Sequence, residues 1–258
     1  MLRRRRLAPR RRRREYSAAA ETSLRDAMQM DGDADVAAVA ALLGDPTRAK
    51  MLDALLDGRA HAAGKLARHA DVAPSTASEH LTLLLRSGLL LLESHGRERR
   101  YRLASPAVGE ALEALSRIAP SKRVSSLRDA SRSEAMRLCR TCYDHLAGRV
   151  GVAVTDALVL GGALVPNDGA FSVSRRGKQT LESLGVDVDA ARQTRRSFAR
   201  PCLDWSERRP HLAGALGAAL ASSFLERGWL ERRPHDRALL ITPAGFGALR
   251  RELAIELC

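Results

Sequence analysis

Residues Asp71 to Gly88 restrict the fold more than any other stretch of the chain. The run reads Asp71-Val-Ala-Pro-Ser-Thr-Ala-Ser-Glu-His-Leu-Thr-Leu-Leu-Leu-Arg-Ser-Gly88. Pro74 suits the first turn of a helix, where no intrahelical N–H bond is lost, and Gly88 suits the stop. Ala77, Leu81, Leu84 and Leu85 fall on one helical face. Ser75, Thr76, Ser78, Glu79 and His80 form the other. A short polar face rich in donors and acceptors matches the base edges of a DNA major groove.

The 258 residues suffice for one large domain or two ordinary ones. Aromatic residues make up 3% of the chain, so a core must be built from Ala, Leu and Val, which favours helices over sheets. The net charge of +13 is unevenly placed: nine arginines lie within residues 1–14, and the rest of the chain carries only +4. Overall basicity is therefore weak evidence for nucleic acid. Residues 1–32 read as a disordered Arg-rich tail, either merely solvated or an added phosphate-binding arm. Its composition is also that of a transit peptide. No apolar run reaches the roughly 18 residues of a membrane span. Four cysteines (Cys139, Cys142, Cys202 and Cys258) are too few for a disulfide scaffold, so a reducing cytoplasm is the expected location.

Regular patterning starts at Asp35. Val36, Val39, Ala40 and Leu43 make a short amphipathic helix ending at Gly44, and Asp45-Pro46 caps a second helix carrying Met51, Leu52, Leu55 and Leu56. A third spans about 62–69. After Gly88 two strand-like runs flank a charged Gly-containing turn, which predicts a hairpin wing with Arg97, Arg99 and Arg100 at or near its tip, placed for phosphate or minor-groove contact.

Residues 35–118 resemble the ArsR family of bacterial winged-helix repressors. The resemblance rests on Leu42-Leu-Gly-Asp-Pro-Thr-Arg-Ala-Lys-Met-Leu52, Lys65-Leu-Ala67, Ser75-Thr-Ala-Ser-Glu-His-Leu81, Ser87-Gly-Leu89 and Gly96-Arg-Glu-Arg-Arg-Tyr-Arg-Leu103. It implies a homodimer paired through the first helix and the segment Ser105 to Ile118, a two-fold operator in double-stranded DNA, and release on effector binding. The metal-sensing members carry cysteines before the recognition helix, or Asp and His on the dimer helix. Here Ala62-Ala-Gly-Lys-Leu-Ala-Arg-His69 has no cysteine and Val108-Gly-Glu-Ala-Leu-Glu-Ala-Leu-Ser-Arg-Ile118 has no histidine. Any sensing must lie elsewhere.

Residues 120–126 read as a linker, followed by a long helix over about Leu127 to Leu146. The second half contains an internal match. Arg140-Thr-Cys142-Tyr-Asp144 is echoed by Arg200-Pro-Cys202-Leu-Asp204, and His145-Leu-Ala-Gly148 by His211-Leu-Ala-Gly214. Further on, Gly177 and Leu181 correspond to Gly245 and Leu249. The second copy carries six extra residues, Trp205 to Pro210. The expected organisation is a mainly α chain with small β-hairpin wings: a winged helix-turn-helix over 33–119, and a pseudo-duplicated, winged-helix-like effector domain over 127–258, built of units at about 138–187 and 198–255.

Packing of the two units about a local pseudo-two-fold axis would bring Cys142, Asp144 and His145 near Cys202, Asp204 and His211. Two thiols and two imidazoles are a tetrahedral zinc set that also fits copper(I) or a thiophilic toxic metal. With Cys142 and His145 three apart on a helix, both reach one ion. The alternatives are core cysteines with helix-fixing Asp-His pairs, a small-molecule pocket near Trp205, and a plain dimerisation module. Cys139 with Cys142 spells Cys-x-x-Cys, but without the βαβ context of a redox motif. There is no Walker loop, His-Glu-x-x-His or Gly-x-Ser-x-Gly, and a closed Cys2His2 set leaves no open coordination position. The chain therefore reads as a DNA-binding regulator, and an enzyme is the least supported reading.

Overall fold

The computed structural model describes residues 33–257 apart from 97, 122 and 235. The expectations for the tail 1–32, for Arg97 and for Cys258 lie outside the described residues. Residues 33–43 form α1 (Val36–Leu43), on which no side chain is buried. Residues 44–257 belong to one compact unit.

That unit opens with α2 (Pro46–Leu55). The Asp45 carboxylate accepts the Arg48 N–H at 2.8 Å, and Pro46 occupies the first turn. There follow β1 (His61–Ala62), α3 (Ala63–Ala70), α4 (Pro74–Arg86), β2 (Leu90–His95), β3 (Glu98–Leu103) and α5 (Pro106–Ile118). The strands form one antiparallel sheet in the order β1-β3-β2. Met51, Leu52 and Leu55 of α2, Leu66 of α3, Ala77, Leu81 and Leu84 of α4, and Leu90 and Leu103 of the hairpin are buried. The apolar stripe read from the sequence thus faces a core, although Leu85 is only half-buried. β1 escapes sequence reading because two residues are too few to show alternation.

An irregular stretch leads from α5 to α6 (Leu127–Leu138). The single helix expected to run on to Leu146 stops at Leu138. Backbone groups at 139–141 are taken by another segment instead: Thr141 N–H donates to the Arg237 carbonyl at 3.0 Å and Leu239 N–H to the Cys139 carbonyl at 2.8 Å. Tertiary pairing here overrides helix propensity. The chain then makes β4 (Arg140–Cys142), β5 (His145–Ala147), α7 (Gly148–Leu160), β6 (Leu164–Asn167), β7 (Ala170–Val173), α8 (Arg175–Ser183) and α9 (Val188–Arg192). It ends with β8 (Arg200–Leu203), β9 (Pro210–Ala213), α10 (Gly214–Glu226), β10 (Leu230–Arg232), β11 (Leu239–Ile241) and α11 (Pro243–Leu253).

The fold is thus largely helical, with small antiparallel hairpins along the chain. Two runs in the second half share the order hairpin, helix, hairpin, helix. In each, a hydroxyl caps the final helix: Ser174 accepts from Gly177 N–H and Thr242 from Gly245 N–H. The two runs bury one common core that includes Val150, Leu158, Leu181, Leu216, Phe224 and Leu249. Cys139 belongs to this core, and burial pushes its thiol up to about 12, so it is inert packing.

Candidate metal centre and nucleic-acid face

Cys142 and His145 are not helical neighbours. They are cross-strand partners in β4–β5, at the mouth of the two-residue turn Tyr143-Asp144. Cys202 and His211 are partners in the same way in β8–β9, where the six inserted residues lengthen the turn. The helical spacing expected from sequence was therefore the wrong geometry for the right pairs. A hairpin places both side chains on one face of a strand pair.

The two hairpins meet face to face. α7 packs on β9 and α10 on β5, so each helix covers the other run's hairpin. Gly151 and Gly217 let each helix start close on its own hairpin, where an added Cβ would lie 2.6 Å from the Leu146 carbonyl oxygen and 2.4 Å from that of Leu212; across the two runs the same Cβ atoms would lie 3.7 Å from His211 Cβ and 3.2 Å from His145 Cβ. Cys142, Ala147, Cys202 and Ala213 form a small buried cluster. The imidazole centroids of His145 and His211 are 5.1 Å apart.

The result is a buried set of four ligand atoms, from Cys142, His145, Cys202 and His211, all within 4.8 Å of one another. The cluster is geometrically compatible with a metal ion. The two sulfurs stand 3.8 Å apart, matching the ~3.8 Å edge of a tetrahedron with ~2.3 Å zinc–sulfur bonds. Each imidazole turns its Nδ1 to a carboxylate: His145 to Asp144 Oδ1 at 3.2 Å, His211 to Asp204 Oδ2 at 3.1 Å. Both Nε2 atoms are buried with no hydrogen-bond partner among the described residues, and so is His211 Nδ1, whose approach to Asp204 is an ion-pair contact, whereas His145 Nδ1 is hydrogen-bonded to Asp144. A carboxylate behind one ring nitrogen and a bare second nitrogen is how metal-bound histidines are held. The residues present fit a zinc-like or thiophilic ion.

The electrostatics agree. The Cys142–Cys202 hydrogen bond and burial push the Cys142 thiol up, while the same bond, with His145 and His211, holds Cys202 down despite its burial. A sulfur whose ionised form is favoured by its neighbours is a ligand for a cation. Burial works against ionisation of Asp204, but His211, Arg140 and the Gly148 N–H hold its carboxyl well below the usual range. Arg140, fully buried, donates to Asp204 Oδ1 at 2.9 Å and lies over the Trp205 ring. Burial likewise disfavours the charged form of His145, and Asp144 and Cys202 overcome it to raise its pKa. Trp205 therefore serves this ion-pair network. Sequence reading missed Arg140 because surface arginines abound in the chain.

A cavity of about 330 Å³ adjoins the cluster, lined by Cys142, Tyr143, His145 and Cys202 on one side and by Gly109 and Glu113 of α5 on the other. It sets the site against α5. Glu113 and Arg237 form a buried ion pair beneath it.

On α4, Ser75, Ser78 and Glu79 are exposed and Thr76 half-exposed. His80 is only 18% exposed, with Nδ1 3.7 Å from an Asp45 oxygen and no hydrogen bond among the described residues, so it packs beside the α2 cap more than it is presented outward. On β3, Arg99 is exposed, and Arg100 donates to Glu98 at 2.8 Å.

The family described as "Helix-turn-helix domain" matches residues 43–93. The HTH-type transcriptional regulator YdfF of Bacillus subtilis is 44% identical over 223 residues, covering 86% of this chain and 99% of the relative. The HTH-type transcriptional regulator CmtR of Mycobacterium bovis is 43% identical over 70 residues, 27% of this chain and 58% of its own length. Among solved structures, the cadmium metal-sensor CMTR of Mycobacterium tuberculosis aligns at 34% identity over 36% of this chain and 100% of that one, with a TM-score of 0.29. Neither this kinship nor a buried four-ligand cluster is that of a catalyst. The chain belongs to the family of HTH-type, DNA-binding transcriptional regulators.

Proposed function

We propose that the chain is a one-component repressor. It binds a two-fold operator as a homodimer, and its DNA affinity is set by a metal ion held by Cys142, His145, Cys202 and His211. The observation that carries this reading is the pair of buried, unpartnered Nε2 atoms beside two sulfurs 3.8 Å apart. Residues 33–119 form the DNA-binding and dimerising part and 127–258 the sensing part, with duplication of one ancestral unit as the origin of the second half. The shared element order and the matched Cys-His hairpins support that origin.

Dimerisation is supported by exposed apolar faces. On α5, Ala107, Ala111, Leu115 and Ile118 recur at helical spacing and are exposed, Ile118 by 79%. On α1, Val36 and Val39 are exposed. For DNA, Ser75, Thr76, Ser78 and Glu79 are the base-reading set and Arg97, Arg99 and Arg100 the wing contacts; His80 plays a smaller part. Four protein ligands complete a tetrahedron and leave no open position, which favours sensing or structure over catalysis.

The test is operator affinity of the full chain, on a two-fold DNA site selected from a random pool, with zinc and with a chelator. The reading predicts two distinct Kd values. Equal values alongside a zinc-dependent rise in melting temperature favour the second reading, a structural metal in a dimerisation module, which the complete burial of the cluster supports.

A further inference from the structure

We infer that the Tyr143-Asp144 turn is the lever that passes the state of the metal site to α5 and to the end of α2, with Tyr143 as its positioning residue. The inference rests on the metal-sensor reading. Its starting point is covalent: the turn joins Cys142 to His145, two of the four ligands, so any change in their separation is a change in the turn.

Tyr143 sits at φ 61°, in the left-handed region. For a bulky residue this conformation is strained by roughly 1–3 kcal/mol and persists only where the surroundings impose it. The surroundings are two glycines of the DNA-binding part. A Cβ on Gly109, in α5, would lie 3.0 Å from two Tyr143 ring atoms, and a Cβ on Gly58, just after α2, would lie 2.7 Å from the Tyr143 carbonyl oxygen. The ring therefore packs closely on α5 at Gly109 while the backbone abuts the end of α2.

The same strand is gripped from its other side. Arg237 donates to the Thr141 carbonyl at 3.1 Å, next to Cys142, and pairs with Glu113, one helical turn beyond Gly109. Thus α5 holds both ends of the segment Thr141–Tyr143. Close-packed interiors resist small displacements, but here the cavity of about 330 Å³ lies between the turn and α5 and gives both room to shift. The face of α5 opposite Gly109 and Glu113 is the exposed apolar stripe, so a shift of the turn is delivered to the surface that fixes the spacing of two recognition helices.

The experiment measures zinc affinity and operator affinity, with and without zinc, on the full chain and on Tyr143→Phe, Tyr143→Gly and Gly109→Ala. Allosteric couplings of about 5- to 150-fold are the usual range. Tyr143→Phe retains the ring and the wild-type coupling. Tyr143→Gly keeps the left-handed turn without strain, binds zinc as the wild type does, and loses the coupling to below about twofold. Gly109→Ala pushes on the ring from the opposite side and changes the coupling in a chain that keeps the Gly58 contact, so a poorly folded Tyr143→Gly does not end the test. Wild-type coupling in both Tyr143→Gly and Gly109→Ala overturns the lever and leaves the sensor reading standing. An operator affinity that zinc does not change in the wild type overturns the sensor reading itself, and the lever falls with it.

Discussion

The sulfur atoms of Cys142 and Cys202 lie 3.8 Å apart on hairpins 60 residues distant in sequence. A disulfide would need ~2.05 Å, whereas a tetrahedral ion needs this wider edge. The chain is expected to bind one zinc ion per protomer. At a free zinc concentration about 100 times Kd, binding stabilises the fold by ~2.7 kcal/mol, a melting-temperature rise of about 5–10 °C for a chain of this size. Cys142→Ser should abolish both the bound metal, read by mass spectrometry, and the rise. A full rise in that variant would mean that zinc binds elsewhere.

Asp144 stands behind His145, 3.2 Å from Nδ1, and is itself held by Arg196. It orients the ring and strengthens Nε2 as a donor. Asp144→Asn should keep one zinc per chain but weaken its affinity by about 10- to 100-fold. Competition against a chromophoric chelator measures this, and an unchanged Kd would reduce Asp144 to an ordinary surface ion-pair partner.

The legible part of the fold was the part whose signals are local. Asp45, Pro46, Pro74 and Gly88 mark ends of helices through their own backbone chemistry, and the leucines of α4 show their period within two turns. The metal set was legible as residue types, because the Cys-Asp-His echo is visible along the chain. Its geometry was not: two residues between Cys142 and His145 fit a helical turn or a tight hairpin equally well. The decision came from Arg237 and Leu239, which pair with residues 139–141 from almost a hundred positions away. Separations of 124 and 64 residues likewise hid Glu113–Arg237 and Arg140–Asp204. A charged side chain in a chain with 43 basic residues gives no hint that it will be buried.

Asp57 gives the fold an acid-sensitive joint. It is buried and accepts from His61 Nε2 at 2.8 Å and from Arg59 Nε at 2.9 Å. Burial raises its pKa, but His61 and Arg59 outweigh burial and leave it depressed. A depressed carboxylate contributes stability above its unfolded pKa of about 3.9 and loses that contribution as pH falls through the folded value. The melting temperature should therefore drop below about pH 4. Asp57→Asn should destabilise the fold at pH 6 by the ~1–3 kcal/mol of a lost buried charged bond, lowering the melting temperature there, and flatten the acid limb. An acid limb as steep as the wild type's would assign it to other carboxylates.

Glu113 and Arg237 pair where α5 meets the second half of the chain. Asp53 lies 3.5 Å from the same guanidinium, and the neighbouring carboxylates keep Arg237 charged despite its burial. Removing Glu113 leaves buried Arg237 with only the half-exposed Asp53 beside it, at a cost of up to about 3–5 kcal/mol. Glu113→Ala should show that loss in urea unfolding. Glu113→Leu combined with Arg237→Met should recover much of it, because neither charge then needs solvation. A double variant less stable than Glu113→Ala would show that the pair supplies net stability.

In the proposed DNA interface, Arg99 and Ser78 should make two different kinds of contact. Arg99 is an exposed cation on β3, and Ser78 is an exposed hydroxyl on the polar face of α4. A phosphate contact releases counterions and carries no sequence information. Arg99→Ala should weaken binding to matched and mismatched operators alike and reduce the slope of log K against log salt by about one unit. Ser78→Ala should leave that slope intact and change which base is preferred at one position of each half-site. Fluorescence anisotropy across a salt series, on the selected operator and its single-base variants, reads both quantities at once. If both substitutions lower affinity uniformly and both reduce the slope, α4 is not reading bases through Ser78, and the base-reading residues must be sought among Ser75, Thr76 and Glu79.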